Sequence, residues 1–362
     1  MITYPEFLTD IKKMLTTFVV ALGTGIGFLY LGLPAPYLMG SLFGVWATGA
    51  LIKPIRQKIG IARWIHIPVV LGLGVLIGAN FTSDALANLE KWTFTVIVMA
   101  ATTIVVTAIG FIFLHRVRGY DRHLAFFCSI PGGQAEAIAM ARDIVDKDYV
   151  VALFHLVRVT TVFCSTPLLL AFVQGQDAVT ASNTALQTMP SLFDLTLLQL
   201  IFFVGTALAG YVTARIIRLP MAHLLGPLSL SAALHIAGFI EIPRVNEFVI
   251  LAQVVIGGAV GARLARVPFG ELLSYVKDAF AASVLILSAY IIAAVGISMM
   301  MDADLLAIWL AFVPGGLYEV TLLALIFGFD VAFIAFHHTI RIMLIFISMP
   351  VMVSRLSKTS NS

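Results

Sequence analysis

A stretch that opens with Pro131, Gly132 and Gly133 returns 183 residues later as Pro314, Gly315 and Gly316. The same shift carries Glu136 onto Glu319, His155 onto His338 and Arg158 onto Arg341. Between residues 131 and 167 it yields 11 identities in 37 positions. This is an internal duplication, and it restricts the chain to a fold built from two like halves. Each copy sets a helix-breaking turn, a carboxylate, an imidazole and a guanidinium in strongly apolar surroundings, where such groups cost free energy unless they have work to do.

Those surroundings define the class. The chain is 60% hydrophobic and 11% charged, with a mean hydropathy of +1.02, whereas soluble domains carry about 25% charged residues. Its apolar runs match the roughly 20 residues a helix needs to cross hydrocarbon, and not the alternating segments of about ten residues expected of a β-barrel. An all-α integral membrane protein follows. Cys128 and Cys164 both fall in the first copy, opposite Ala311 and Ile347 in the second, so neither a disulfide framework nor a metal spacing is expected. No small-residue cleavage site follows the first apolar run, which reads as a retained transmembrane helix.

Helices are expected over 14–32, 37–52, 65–82, 92–114 and 149–173, and again over 195–214, 222–240, 247–264, 278–300 and 331–353. Broken stretches at 124–141 and 305–328 interrupt each series at Pro-Gly-Gly. Gly74 and Gly78, matched by Gly257 and Gly261, form small-residue faces for close helix packing. Asp304 repeats Asp121, and Leu219-Pro220 repeats Leu33-Pro34.

The Lys/Arg distribution decides whether each broken stretch crosses or re-enters, because cytoplasmic loops are enriched in these residues. If both cross, 12 of the 22 Lys and Arg lie inside and 8 outside. If both are re-entrant, 18 lie inside, only Lys91 and Arg244 outside, and Arg158 and Arg341 within the membrane. The second arrangement gives ten transmembrane helices in two inverted five-helix repeats, each with a re-entrant or discontinuous helix. The first repeat is then 1–173, an extracytoplasmic connector covers 174–194, the second repeat is 195–353, and 354–362 is a cytoplasmic tail, with both termini cytoplasmic. Irregular backbone at membrane depth survives only when buried in protein or lining a watery cavity. Two such elements entering from opposite faces are the layout in which many secondary transporters bind substrate and coupling ion.

Glu136 and Glu319 lie three residues beyond their glycine pairs, in the first turn of a new helix. There a carboxylate serves either as a cap on the helix dipole or as a proton or cation site. His155 and Arg158, like His338 and Arg341, are three apart and share a helix face. Each arginine has two readings: an ion pair that pins the break, Arg158 with Glu136 and Arg341 with Glu319, or a fork for an anionic substrate. The histidines are hydrogen-bonded core residues or proton relays. His337 has no counterpart, since Phe154 stands there. Asn80, Ser129, Gln134, Gln253 and Thr321 are further candidates for a cavity lining.

The paired Pro-Gly-Gly-x-x-Glu elements, the downstream His-x-x-Arg, the duplicated halves and the Leu-Pro-bounded helix pair resemble the AbrB-type membrane protein family, over about residues 15–353. Members are labelled regulators of gene expression and sometimes ammonia monooxygenases. By layout the chain also looks like a distant relative of the inverted-repeat cation/proton antiporters and anion symporters. The expected function is an ion-coupled secondary transporter of a small, anionic solute across the bacterial cytoplasmic (inner) membrane, with proton or sodium as coupling ion and no other cofactor. The alternative, implied by the resemblance, is a membrane-embedded regulator. The substrate or ion site is expected at Pro131, Gly132, Gly133, Glu136, His155 and Arg158 and at Pro314, Gly315, Gly316, Glu319, His338 and Arg341. Membrane lipid and small solutes are the expected partners, with a homo-oligomer open. Enzymatic activity is not expected, because a monooxygenase metal site needs convergent ligands. Nor is nucleic-acid binding, because the basic residues are spread over loops.

Overall fold

The computed structural model describes residues 4–360, and within them every regular element is helical. First come α1 (Tyr4–Tyr30), α2 (Pro36–Leu51), the single turn α3 (Lys53–Arg56), α4 (Arg63–Gly78), the short α5 (Ser83–Ala87) and α6 (Leu89–Ile112). A π-turn over Phe113–Val117 leads to α7 (Arg122–Ser129), α8 (Gln134–Ala141) and the long α9 (Asp148–Gln187). A 3-10 turn at Leu192–Asp194 precedes α10 (Leu197–Ile216), α11 (Ala222–Ile236) and α12 (Asn246–Ala265). The chain then runs through α13 (Phe269–Met301), α14 (Leu305–Phe312), α15 (Leu317–Phe327) and α16 (Val331–Ser360).

Seven helices, α1, α6, α9, α10, α12, α13 and α16, are long and apolar enough to cross a membrane, so the chain is a multi-pass helical membrane protein. Three further expected spans are present as helices: α2 has 16 residues, as many as expected, while α4 and α11 have 16 and 15, fewer than expected. At about 1.5 Å per residue they reach about 22–24 Å, short of a hydrocarbon core about 30 Å thick. Local chemistry stops them inside their apolar runs. Arg56 donates to the carbonyls of Gly49 and Ala50 at 3.0 and 3.3 Å, closing α2. The Asn80 amide donates to Leu76 O at 2.6 Å, closing α4. Gly238 takes φ +71 just beyond α11, the left-handed turn that commonly ends a helix.

Other boundaries move outward. α1 starts ten residues before the apolar run, since hydropathy marks what lies in hydrocarbon and not where a helix begins. The connector 174–194 is largely ordered: Gly175, at φ +82, kinks α9 and the helix resumes to Gln187. Ser182 Oγ donates to Ile326 O at 2.8 Å and Asn183 Nδ2 to Leu33 O at 3.1 Å, which ties this segment down.

The chain forms two compact units. One comprises residues 1–86, 164–267 and 321–332, the other 87–163, 268–320 and 333–362. In the first, α2 packs on α12 and α11 on α4, in each case a helix of one repeat against a helix of the other. The expected glycine faces make these contacts. A Cβ on Gly74 would lie 2.7 Å from Leu224 O, and one on Gly257 would lie 2.5 Å from Leu38 O; only glycine lets the backbones approach so closely. The second unit is built from α6, α7, α8, the N-terminal part of α9, α13, α14, the start of α15 and most of α16, and holds the Pro-Gly-Gly, Glu, His and Arg residues of both copies.

Candidate functional site

Each half begins its broken stretch with the same cap. Asp121 accepts from His123 N and Leu124 N at 2.9 and 3.3 Å, and Asp304 accepts from Leu306 N and Ala307 N at 2.8 and 2.9 Å, so α7 and α14 start 183 residues apart. Both run eight residues and stop ahead of a proline, Pro131 or Pro314, because a proline ring disfavours helical geometry in the residue before it. Their C-terminal carbonyls therefore end unpaired among apolar side chains.

The arginines satisfy those carbonyls. Arg158 Nη1 donates to Ile130 O and Nη2 to Cys128 O, both at 2.5 Å. Arg341 Nη1 donates to Phe312 O at 2.8 Å. A guanidinium at the negative end of a helix dipole is well placed, and it supplies two parallel donors where a helix needs them. Arg158 thus spends both Nη donors on main-chain carbonyls, where an ion pair with Glu136 was the expectation, while Arg341 spends its Nη donors on Phe312 O and His338 Nδ1. The carboxylates have their own helix ends. Glu136 sits in the first turn of α8 and Glu319 in the first turn of α15, where free N–H groups and a positive dipole end favour them.

His338 explains its partner's orientation. Its Nδ1 accepts from Arg341 Nη2 at 2.7 Å, so its Nε2 carries the proton and donates to Leu310 O at 2.8 Å. With both nitrogens engaged the ring is a neutral spacer, and the relay reading loses its free nitrogen. His155 faces the equivalent backbone position, Phe127, although its Nε2 closes no hydrogen bond. His337 is a core histidine: Nε2 lies 2.8 Å from Thr95 Oγ1, Nδ1 lies 2.8 Å from Phe333 O, and the ring packs on Phe333 at 4.3 Å.

The two breaks are woven together reciprocally. A Cβ on Gly132 would meet Ile345 at 3.2 Å and Arg341 Nε at 3.6 Å, while one on Gly315 would meet Val162 at 3.5 Å. Gly132 with Gly315, and Val162 with Ile345, are the same pair of positions under the 183 shift. Each break thus packs on the long helix of the other repeat. The glycines are needed for different reasons. Gly132 and Gly133 take φ +133 and +57, whereas at Gly316 the space of a Cβ is already filled by the Glu319 carboxylate.

Arg158 and Arg341 are 2% and 1% exposed, and the charge of Arg341 reaches Arg158. Each retains a buried Nε–H without a hydrogen-bond partner, and Glu136 Oε2 is likewise buried and unbonded. Tyr290, fully buried on α13, lies near both guanidiniums, and its hydroxyl is 2.9 Å from Thr103 Oγ1. Sequence reasoning missed Tyr290 because the equivalent position in the first copy is Thr107. Its one available signal was a phenol in the middle of a long apolar helix. Of the secondary candidates, Ser129 Oγ bonds Ala125 O at 2.6 Å, and Gln134 opens α8. Asn80 and Gln253 lie in the other unit, where Gln253 Oε1 accepts from Leu38 N at 3.2 Å; Thr321 also falls in that unit.

A polar cleft of about 590 Å³ opens beside the start of α7. Asp278 there is held by Arg118 at 2.6 Å and by the Tyr120 hydroxyl at 3.0 Å; burial, reinforced by that bond, raises the Tyr120 pKa. Lys147 donates to Tyr275 at 3.1 Å, which raises its pKa too. Cys128 and Cys164 are free thiols.

Buried guanidiniums at paired helix breaks in a multi-pass helical bundle define a membrane protein with a polar centre. The chain belongs to the family described as transition state regulatory protein AbrB, whose model matches residues 42–357. It is 24% identical to the uncharacterized protein YhjN of Bacillus subtilis (strain 168), over 91% of this chain and 90% of that one. It is 25% identical to a protein of Escherichia coli (strain K12) named "Putative regulator AbrB", over 92% of this chain and 93% of that one.

Proposed function

We propose that this chain is a secondary transporter that moves a small anionic solute across the bacterial cytoplasmic membrane, coupled to protons or sodium. The observation that carries this reading is the pair of buried guanidiniums, near enough to repel, each with an unpaired Nε–H. Two like charges in a low-dielectric interior are costly, and an anion between them would offset that cost and take up both spare donors. Glu136 and Glu319 are the coupling carboxylates in this scheme. Glu136 combines a helix N-terminus with a buried, unbonded oxygen, an environment that changes when a proton or cation binds. The reciprocal packing of the breaks supports a two-fold relation between repeats. The Lys/Arg count supports its inverted form, with ten spans, re-entrant breaks and both termini cytoplasmic. Alternating access then follows from movement of one set of helices past the other.

The test is uptake into proteoliposomes under an imposed proton or sodium gradient, across a panel of small carboxylates and inorganic anions. Gradient-driven uptake that is lost in Arg158→Ala and Arg341→Ala supports the reading, and no uptake across the panel overturns it. The name of the Escherichia coli relative favours a second reading, a membrane-embedded regulator. A stable protein partner captured on the cytoplasmic loops, together with absent uptake, would select it.

A further inference from the structure

The polar cleft beside the start of α7 has no part in the transport scheme above, yet it gathers both signs of charge around one ion pair. Its lining comes from three stretches of a single compact unit, within 118–124, 144–147 and 274–278. Asp278 is 7% exposed, and each of its carboxylate oxygens takes one donor. Arg118 Nη2 lies 2.6 Å from Oδ1, and the Tyr120 hydroxyl donates to Oδ2 at 3.0 Å. The Arg118 side chain is 46% exposed, so the pair has its carboxylate in protein and half of its guanidinium in water. A second cation, Lys147, donates to the Tyr275 hydroxyl at 3.1 Å and lies 5.8 Å from the centre of that ring. The Tyr120 and Tyr275 rings meet edge to face at 6.0 Å, and Leu124, Ile144 and Val145 add apolar lining. At about 590 Å³ the cleft falls in the range of about 300–1,000 Å³ usual for small-molecule pockets.

Charge balance selects what such a cleft can take. Asp121, His123 and Asp146 line it as well; Asp121 Oδ1 caps α7, and the charge of Asp146 reaches Lys147. A simple anion would meet three carboxylates there. Drawing Arg118 to itself, it would also leave Asp278 buried without its counter-charge, the costly outcome for a buried ion pair. A simple cation on Asp278 would meet Arg118 and Lys147. A zwitterion that enters between Arg118 and Asp278 gives each of them a new partner of opposite sign and leaves the net charge unchanged. Its carboxylate takes the guanidinium fork, and its ammonium takes the Asp278 carboxylate. We infer that this cleft binds a zwitterionic amino acid with an apolar side chain, the ammonium on Asp278, the carboxylate on Arg118 and the side chain against the Tyr120–Tyr275 pair. The inference does not rest on transport, because its residues are not those of the central guanidinium site.

The experiment is titration calorimetry of the purified full chain in nanodiscs with L-leucine and L-phenylalanine. Each is compared with two analogues that keep one charge: isocaproate and isoamylamine for leucine, hydrocinnamate and phenethylamine for phenylalanine. The expected result is binding of at least one amino acid, with each of its analogues weaker by about tenfold or more, the loss that follows when a bond to a charged group is removed. Arg118→Gln and Asp278→Asn should weaken the amino acid by a similar factor, while Arg116→Gln, which removes a charge from the same turn outside the cleft lining, should keep its affinity. The analogue arms use the wild-type protein, so they decide the matter even if a variant fails to fold. An analogue that binds as tightly as its parent, no binding of either amino acid, or affinity that survives in both cleft variants would overturn the inference. No gradient is imposed and no uptake is read, so failure of the transport reading leaves this result unchanged.

Discussion

The sharpest consequence of the geometry concerns what Arg158 is for. Its two Nη groups donate to Cys128 O and Ile130 O, the carbonyls exposed where α7 breaks, and its contacts do not include Glu136. Replacing it by methionine, similar in length and neutral, would strip both carbonyls of their donors at a position only 2% exposed. A buried acceptor left unsatisfied costs about 1–3 kcal/mol, so Arg158→Met should destabilise by about 2–6 kcal/mol, less whatever is regained by relieving its repulsion with Arg341. Glu136→Gln should cost little, since an amide oxygen still faces the same helix end. The decisive quantity is the coupling in the double-mutant cycle of Arg158→Met with Glu136→Gln, measured as reversible unfolding in detergent. Capping of carbonyls predicts a coupling of less than about 0.5 kcal/mol, the range of sites that act independently. A buried ion pair predicts about 3–5 kcal/mol when either partner is removed, most of it returning as coupling. A coupling in that upper range, or an Arg158→Met protein as stable as wild type, would refute the reasoning.

Tyr290→Phe removes a hydroxyl that lies 2.9 Å from Thr103 Oγ1 and should cost about 0.5–1.5 kcal/mol, as loss of a neutral hydrogen bond does; chemical denaturation reads this directly. Gly132→Ala forces a side chain into φ +133 against Ile345 and should cost about 1–3 kcal/mol, with a matching drop in any anion affinity measured by calorimetry. In the other unit, a Cβ on Gly78 would fall 2.6 Å from Ser231 Cβ, whereas one on Gly23 would meet nothing within 4 Å. Gly78→Ala should therefore lower stability by about 1–3 kcal/mol, while Gly23→Ala leaves it unchanged or raises it by up to about 1 kcal/mol. Equal effects from the two would show that the α4–α11 contact is looser than the structure has it.

Much of this site was readable along the chain because its logic is local. Asp121 and Asp304 cap the helices they precede, Pro131 and Pro314 end them, and Glu136 and Glu319 follow at first-turn spacing. Each of these depends on neighbours within a few residues. The arginine partners were not readable in the same way. Arg158 lies 28 and 30 residues from the carbonyls it holds, and spacing along the chain offers it only an ion pair with Glu136 or an anionic substrate. The structure prefers helix ends because breaking a helix in an apolar environment leaves carbonyls that nothing else nearby can satisfy. Tyr290 escaped for a different reason: duplication draws attention to what repeats, and the phenol is where the halves differ.

Sequence alone therefore determined the class of protein, the place of its helices, the duplication and the two breaks, since these rest on hydropathy over about 20 residues and on the backbone limits of proline and glycine. Tertiary structure decided which breaks meet which helices, what the guanidiniums hold, and that α4 and α11 stop short of their expected lengths. Those outcomes depend on contacts between residues far apart in the chain, where close packing and the need to satisfy every buried polar group select one pairing among many that the sequence permits.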